Sequence, residues 1–228
     1  MIKVTENLRK IQDLLRREAR ACGRDPAHVR LLAVSKRKPA AAVLEAAAAG
    51  QRDFGENFVQ EGIAKMDEVG RDDLVWHFIG HLQSNKTRQV AARFDWVHTL
   101  DRSKIARRLS EQRPHHAPDL NVCIQVNIDD EDSKAGIAPA DVAALAAEVA
   151  GLPRLRLRGL MCIPRAHGDR EAQRRPFAAL RALLESLGHL GLELDTLSMG
   201  MTADYAAAIR EGATIVRIGT ALFGSRDD

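Results

Sequence analysis

A chain of 228 residues, 45% hydrophobic and 29% charged, is long enough to bury a sizeable core and ordinary for a globular protein. Its net charge of +3 is spread along the sequence and aromatics make up 4%, which argues against the dense basic stripe and stacking surface of a nucleic-acid binder. Cys22, Cys123 and Cys162 stand far apart with no CxxC spacing, against a disulfide framework or a zinc site, and no run of about 18 apolar residues marks a membrane span.

The first stretch, MIKVTENLRKIQDLLRREAR, reads as an amphipathic charged helix without the apolar run of a signal peptide, so a cytoplasmic protein with reduced thiols is expected. A first strand follows, VRLLAVS (29–35), and then an alanine-rich helix (39–49) that Pro39 opens and Gly50 stops. RDF (52–54) is a strand and 57–68 a helix. LVWHFIG (74–80) precedes a helix over 84–92, and WVHTL (96–100) one over 102–112. LNVCIQVNI (120–128) precedes a helix over 139–150 that Pro139 and Asp141 start. LRLRGLMCI (155–163) leads into a candidate mobile loop (163–175) and a helix over 171–188. LDTLSM (194–199), a helix over 202–211 started by Thr202 and Asp204, and TIVRIG (214–219) complete the series.

Strands alternating with helices mean parallel strands joined by crossovers. Eight of them in this length predict a (β/α)8 barrel with an extra N-terminal helix; a doubly wound open sheet is the alternative. No linker or repeat divides the sequence, so one domain over 1–228 is expected.

In a barrel the reactive face lies at the C-terminal ends of the strands. The apolar run Leu31-Leu32-Ala33-Val34 ends in Ser35-Lys36, which puts a lysine at that mouth. A lysine amine condenses with an aldehyde when burial and neighbouring cations, here Arg37 and Lys38, lower its pKa. Snorkelling into water is the competing reading. At the other end of the sequence Ser198 and Gly200 leave one strand and Gly219-Thr220 leave the next, where glycine-freed amides and hydroxyls cradle phosphate in barrels. Strands 1 and 8 become neighbours when a barrel closes. An amine facing a phosphate cup fits an aldehyde that carries a phosphate, pyridoxal 5'-phosphate (PLP).

The segments AVSKRKP, DFGENFVQE, WHFIGHLQSNK, VNIDDEDSKAGI, GLMCIP, LSMGMTADYAAAI and VRIGTALFG span nearly the whole chain, and on them it resembles the pyridoxal phosphate homeostasis proteins, single-domain relatives of the alanine-racemase barrel. The resemblance implies that Lys36 forms the Schiff base with PLP. It implies that Ser198, Gly219 and Thr220 hold the phosphate with help from backbone around Met199. Arg217 matches the residue that approaches the pyridine nitrogen, where an arginine leaves that nitrogen unprotonated and the ring a weak electron sink; an interior salt bridge is its alternative role. Asn57 lies beside the cofactor or caps a turn. Lys134, and similarly Lys38, are possible secondary contacts.

His77 and His81 straddle a strand exit and do not make a metal pair, and Gln83, Asn85 and Lys86 read as structural. Two functions compete. A PLP-dependent racemase needs a second base opposite the lysine, which in racemases a tyrosine of an added β-domain supplies. No such domain follows the barrel in this sequence, and the sole tyrosine, Tyr205, falls inside a helix. The expectation is a monomeric carrier that buffers PLP and supplies apo-enzymes, not an enzyme.

Overall fold

The computed structural model describes residues 4–129, 135–166 and 168–224. Its eight strands are β1 (Arg30–Val34), β2 (Asp53–Glu56), β3 (Val75–Phe78), β4 (Trp96–Leu100), β5 (Leu120–Gln125), β6 (Leu155–Met161), β7 (Thr196–Ser198) and β8 (Ile215–Ile218). They pair in sequence order, all parallel, and β8 returns to β1, so the sheet closes into a barrel and the open-sheet alternative falls.

The helices are α1 (Val4–Ala21), α2 (Ala40–Ala48), α3 (Val59–Val69), α4 (Thr87–Arg93), α5 (Ser103–Gln112), α6 (Val142–Ala150), α7 (Arg170–Ser186), α8 (Tyr205–Arg210) and α9 (Thr220–Phe223). The start of α8 differs from expectation. Thr202 lies outside the helix, and Asp204 is its N-cap residue, with a carboxylate that accepts the Met201 amide at 2.6 Å. The turn α9 carried no periodic signal, because four residues are too few to show one.

Strand alternation sorts the side chains into two compartments. Leu32, Trp96, Cys123, Met161 and Ile215 pack together inside the barrel. The larger apolar core lies between the strands and the surrounding helices. Helix α1 joins it through Val4, Leu8, Ile11, Leu15 and Ala19, a stripe at helical spacing. Full burial of each Leu or Ile contributes about 1.5–3 kcal/mol. The stripe packs against α2, α8 and α9, and the Asn7 amide donates to Leu222 O at 3.1 Å. The extra helix thereby anchors the chain just beyond β8. Among the described residues no helix is long and apolar enough to cross a membrane.

Candidate functional site

Lys36 is half-buried in the loop that leaves β1, and the chain on both sides of it is fastened from the same direction. The Ser35 amide donates to Gly55 O at 3.0 Å, and its hydroxyl donates to Glu56 Oε1 at 2.6 Å. Lys65 of α3 donates to Ser35 O at 2.6 Å, to Glu56 Oε1 at 2.6 Å and to Glu61 Oε1 at 3.0 Å. That same Glu61 oxygen accepts the Arg37 amide. Lys38 N–H closes a turn on Ser35 O at 3.0 Å, with Arg37 at φ 57°, the left-handed region. Ser35 is thus turned outward to α3, and Lys36 is the next residue, at the first corner of the turn that leaves β1. Burial pushes the Glu56 carboxyl above its usual range, and the hydrogen bonds from Lys65 and Ser35 oppose that rise.

The chain leaving β8 lies directly alongside. Ala33 pairs with Ile218, and a Cβ added to Gly219 would stand 3.1 Å from Val34 O, a tight contact that glycine avoids. The next residue, Thr220, is exposed and opens α9. The amides of Leu222, Phe223 and Gly224 close on Gly219 O and Thr220 O, whereas those of Thr220 and Ala221 make none of the turn's backbone bonds. At the exit of β2 Asn57 is half-buried, with a buried Oδ1 that has no hydrogen-bond partner among the described residues. Gly80 packs so closely on this turn that a Cβ there would fall 1.9 Å from Asn57 O.

Ser198 and Met199 are more deeply set than a phosphate cup requires. Both are fully buried. The Met199 amide is taken by Ile215 O at 3.1 Å, and its side chain packs in the outer core. The Ser198 hydroxyl lies inside the barrel, where Arg217 Nη1 donates to it at 2.9 Å and His98 Nδ1 pairs with it at 2.8 Å. Arg217 also donates to Ser198 O at 2.6 Å and to Cys162 O at 2.9 Å, and is 5% exposed. Among the described residues it makes no salt bridge, and the hydrogen-bond partners there are neutral oxygens. Burial lowers its pKa, against small opposing contributions from Cys162, Asp204 and Cys123.

The interior chain continues downward. His98 Nε2 pairs with His77 Nδ1 at 2.9 Å, and His77 Nε2 with Asp53 Oδ1 at 3.0 Å. Burial holds both histidines below the usual imidazole range, His98 well below it, and the Arg217 charge reinforces the shift at His98. Burial raises Asp53, but the hydrogen bond from His77 and the charge of Arg30 oppose it, and the net direction is down.

Sequence reasoning placed Lys36, Asn57, Gly219 and Thr220 on neighbouring strand exits, and the structure brings them to one end of the barrel. It missed Lys65, Glu56 and Glu61, which fasten the turn, and His98 and Asp53, which line the interior. The Glu61–Lys65 spacing of four was the legible sign of the first group. Alternation along WVHTL was the sign of the second. Lys134 lies outside the described residues.

The model of the family described as "Alanine racemase, N-terminal domain" matches residues 4–227. The pyridoxal phosphate homeostasis protein of Pseudomonas aeruginosa is 60% identical over 227 residues, covering 100% of this chain and 97% of that protein. Two solved structures of PipY from Synechococcus elongatus cover 97% of this chain and all of theirs. The one without PLP is 40% identical at a TM-score of 0.86, and the one with PLP bound is 39% identical at 0.84. A closed parallel barrel with a lysine at the tip of its first strand, matched end to end at these identities, belongs to the pyridoxal phosphate homeostasis proteins, within the alanine racemase N-terminal domain family.

Proposed function

We propose that the barrel mouth binds PLP through the Lys36 amine and that the protein buffers and hands on this cofactor without using it for turnover. When bound, the cofactor supplies an aldehyde that condenses with a primary amine. The residues present fit it. Lys36 lies on a turn fixed at Ser35 and Arg37, Gly219 removes the Cβ that would crowd β1, and among the described residues the Thr220 and Ala221 amides take no backbone acceptor at the first turn of α9. Arg217 commits three of its five N–H donors to Ser198 and Cys162, which leaves two for a ring nitrogen above it. The orphaned Asn57 Oδ1 offers an acceptor beside it. In this arrangement Thr220 and Gly219 hold the phosphate, joined by main chain after Met199. Ser198 and Met199 act from beneath.

The observation that carries the non-catalytic reading is the position of the sole tyrosine. Tyr205 begins α8 and packs against the outer core, where burial and the charge of Glu18 raise its pKa. It is turned to the helices instead of the mouth, so it does not serve as a second base opposite Lys36. The name of the Pseudomonas relative supports a role in PLP homeostasis, and the PLP-bound PipY structure supports PLP as the ligand. Recipient apo-enzymes would meet the mouth transiently, and the protein works as a monomer in the cytoplasm. Borohydride treatment of the PLP-loaded protein should fix the cofactor to Lys36, and Lys36→Ala should stay folded without the visible band. Cofactor fixed mainly at Lys38 or Lys134 overturns the assignment. Amino-acid turnover on the order of 1 s⁻¹ or above restores an enzyme.

A further inference from the structure

The line of contacts from Arg217 to Asp53 runs through the whole barrel interior, and its protons can be counted. Arg217 at the top can only donate, and an ionised Asp53 at the bottom can only accept. Between them stand three contacts: Ser198 to His98 at 2.8 Å, His98 to His77 at 2.9 Å, and His77 to Asp53 at 3.0 Å. Three mobile protons are available, one on the serine hydroxyl and one on each neutral imidazole. A single arrangement satisfies every contact. His77 carries its proton on Nε2 and donates to Asp53. Its Nδ1 then accepts, so His98 also carries its proton on Nε2. His98 Nδ1 is left to accept from the Ser198 hydroxyl, and the Ser198 lone pairs face Arg217. A fourth proton on His77 Nδ1 would set two N–H groups against each other across the 2.9 Å contact, and one on His98 Nδ1 would turn the Ser198 hydroxyl from donor to acceptor.

We propose that His98 and His77, working through Ser198, are positioning residues for Arg217. The ordered chain presents an acceptor to Arg217 Nη1 and thereby aims the remaining donors of the guanidinium at the mouth. Trp96 stacks on His77, with ring centroids 5.3 Å apart and an interplanar angle of 13°, and holds that ring in the plane the chain needs. Other charges near the two histidines are Arg30, which pairs with Asp53 at 3.3 Å, and Asp95. Neither bonds to an imidazole, so the direction of the chain is set by its ends.

This inference rests on the assignment of PLP to the mouth and of its ring nitrogen to Arg217, and the test separates the two. Full-length protein is loaded with PLP or with its 1-deaza analogue, in which carbon replaces the ring nitrogen, and retention is followed by dialysis. Wild type should prefer PLP by about tenfold, the scale of one charge-assisted hydrogen bond. Ser198→Ala and His98→Leu should bring that preference close to one. His98→Gln, which keeps an acceptor and a donor on one side chain, should retain most of it. A role in folding alone would weaken both ligands equally and leave the ratio unchanged, and that result overturns the relay. If His98→Leu does not fold, the ratio is read on Ser198→Ala against His98→Gln. Failure of borohydride to fix PLP at Lys36 in wild type brings down the site assignment and the relay together. Nitrogen-15 spectra of the protein without cofactor give an independent reading: both rings should be neutral and protonated at Nε2, and a proton on His98 Nδ1 contradicts the order.

Discussion

Two buried polar networks flank the barrel wall, and they are built in opposite ways. The outer one, between β2 and α3, joins a cation to two carboxylates: Lys65 with Glu56 and Glu61, at side-chain exposures of 5%, 0% and 28%. The inner one separates its charges by a serine and two neutral imidazoles, with Asp53 and Arg217 at its far ends. The outer network grips main chain, namely Ser35 O and the Arg37 amide, and so fixes where the Lys36 backbone turns. The inner one grips side chains and fixes which atom donates. The contrast teaches that position and protonation at one mouth are maintained from two sides, and that each side has its own way to fail.

The largest effect should come from unpairing the outer network. Lys65→Met leaves Glu56 buried beside Glu61 without a cation, and removal of one partner of a buried pair costs about 3–5 kcal/mol. Urea unfolding measures it. Adding Glu56→Leu to that variant should recover a good part of the loss, since a matched apolar pair carries no desolvation cost. A double variant as unstable as the single one would show that the clamp stabilises by shape instead of charge.

The inner network should fail with acid. His77 and His98 are neutral when folded because burial depresses their pKa values, whereas unfolded imidazoles protonate near 6.5. Below that pH the unfolded chain binds more protons than the folded one, so stability falls as pH falls, by about 1.4 kcal/mol per pH unit for each histidine. Glu56, raised by burial, acts with the opposite sign: its folded state binds the extra proton, so its contribution shrinks as pH rises from the ordinary carboxylate range. The drop between pH 6.5 and 5.5 therefore belongs to the histidines, and His98→Gln should remove about half of it. An unchanged slope in that variant would place the titrating group elsewhere.

Legibility followed the same division. Eight strands, the crossovers between them and the strand-end lysine are written in local signals, namely apolar runs, glycines and prolines, so the barrel and Lys36 could be read directly. Ser198 was read as a rim hydroxyl because a serine ending an apolar strand looks the same whether it faces outward or down the axis. Its partners, His98 and Arg217, lie 100 and 19 residues away, and only closure of the barrel brings them together. The clamp on Lys36 was hidden for a similar reason. Glu61 and Lys65 look like a surface pair until α3 is laid over Ser35, which buries Lys65 and leaves Glu61 half-buried.

At the mouth, the proposed phosphate site depends on local groups and not on either network, and the effect there should be smaller and specific. Thr220→Ala should weaken PLP retention by about 1–3 kcal/mol, the range for a lost hydrogen bond to a charged group. Pyridoxal, which lacks the phosphate, should be nearly indifferent. Equal losses for the two ligands would mean that the Thr220 hydroxyl faces something else.

The smallest expected effect is at Arg37, and it tests whether the outer clamp works through main chain alone. Arg37 holds φ 57°, which costs a residue with a Cβ about 1–2 kcal/mol. Glycine removes that cost but adds about 0.5–1 kcal/mol of backbone freedom to the unfolded chain. It also loses the guanidinium 5.6 Å above the Phe58 ring, an exposed cation–π contact of about 0.5–1 kcal/mol. These contributions nearly cancel, so Arg37→Gly should change stability by less than about 1 kcal/mol, because the amide that meets Glu61 is still there. Borohydride fixing of PLP at Lys36 should proceed at the wild-type rate. A slowed reaction with unchanged stability would assign the Arg37 side chain a part at the mouth that the backbone clamp does not explain.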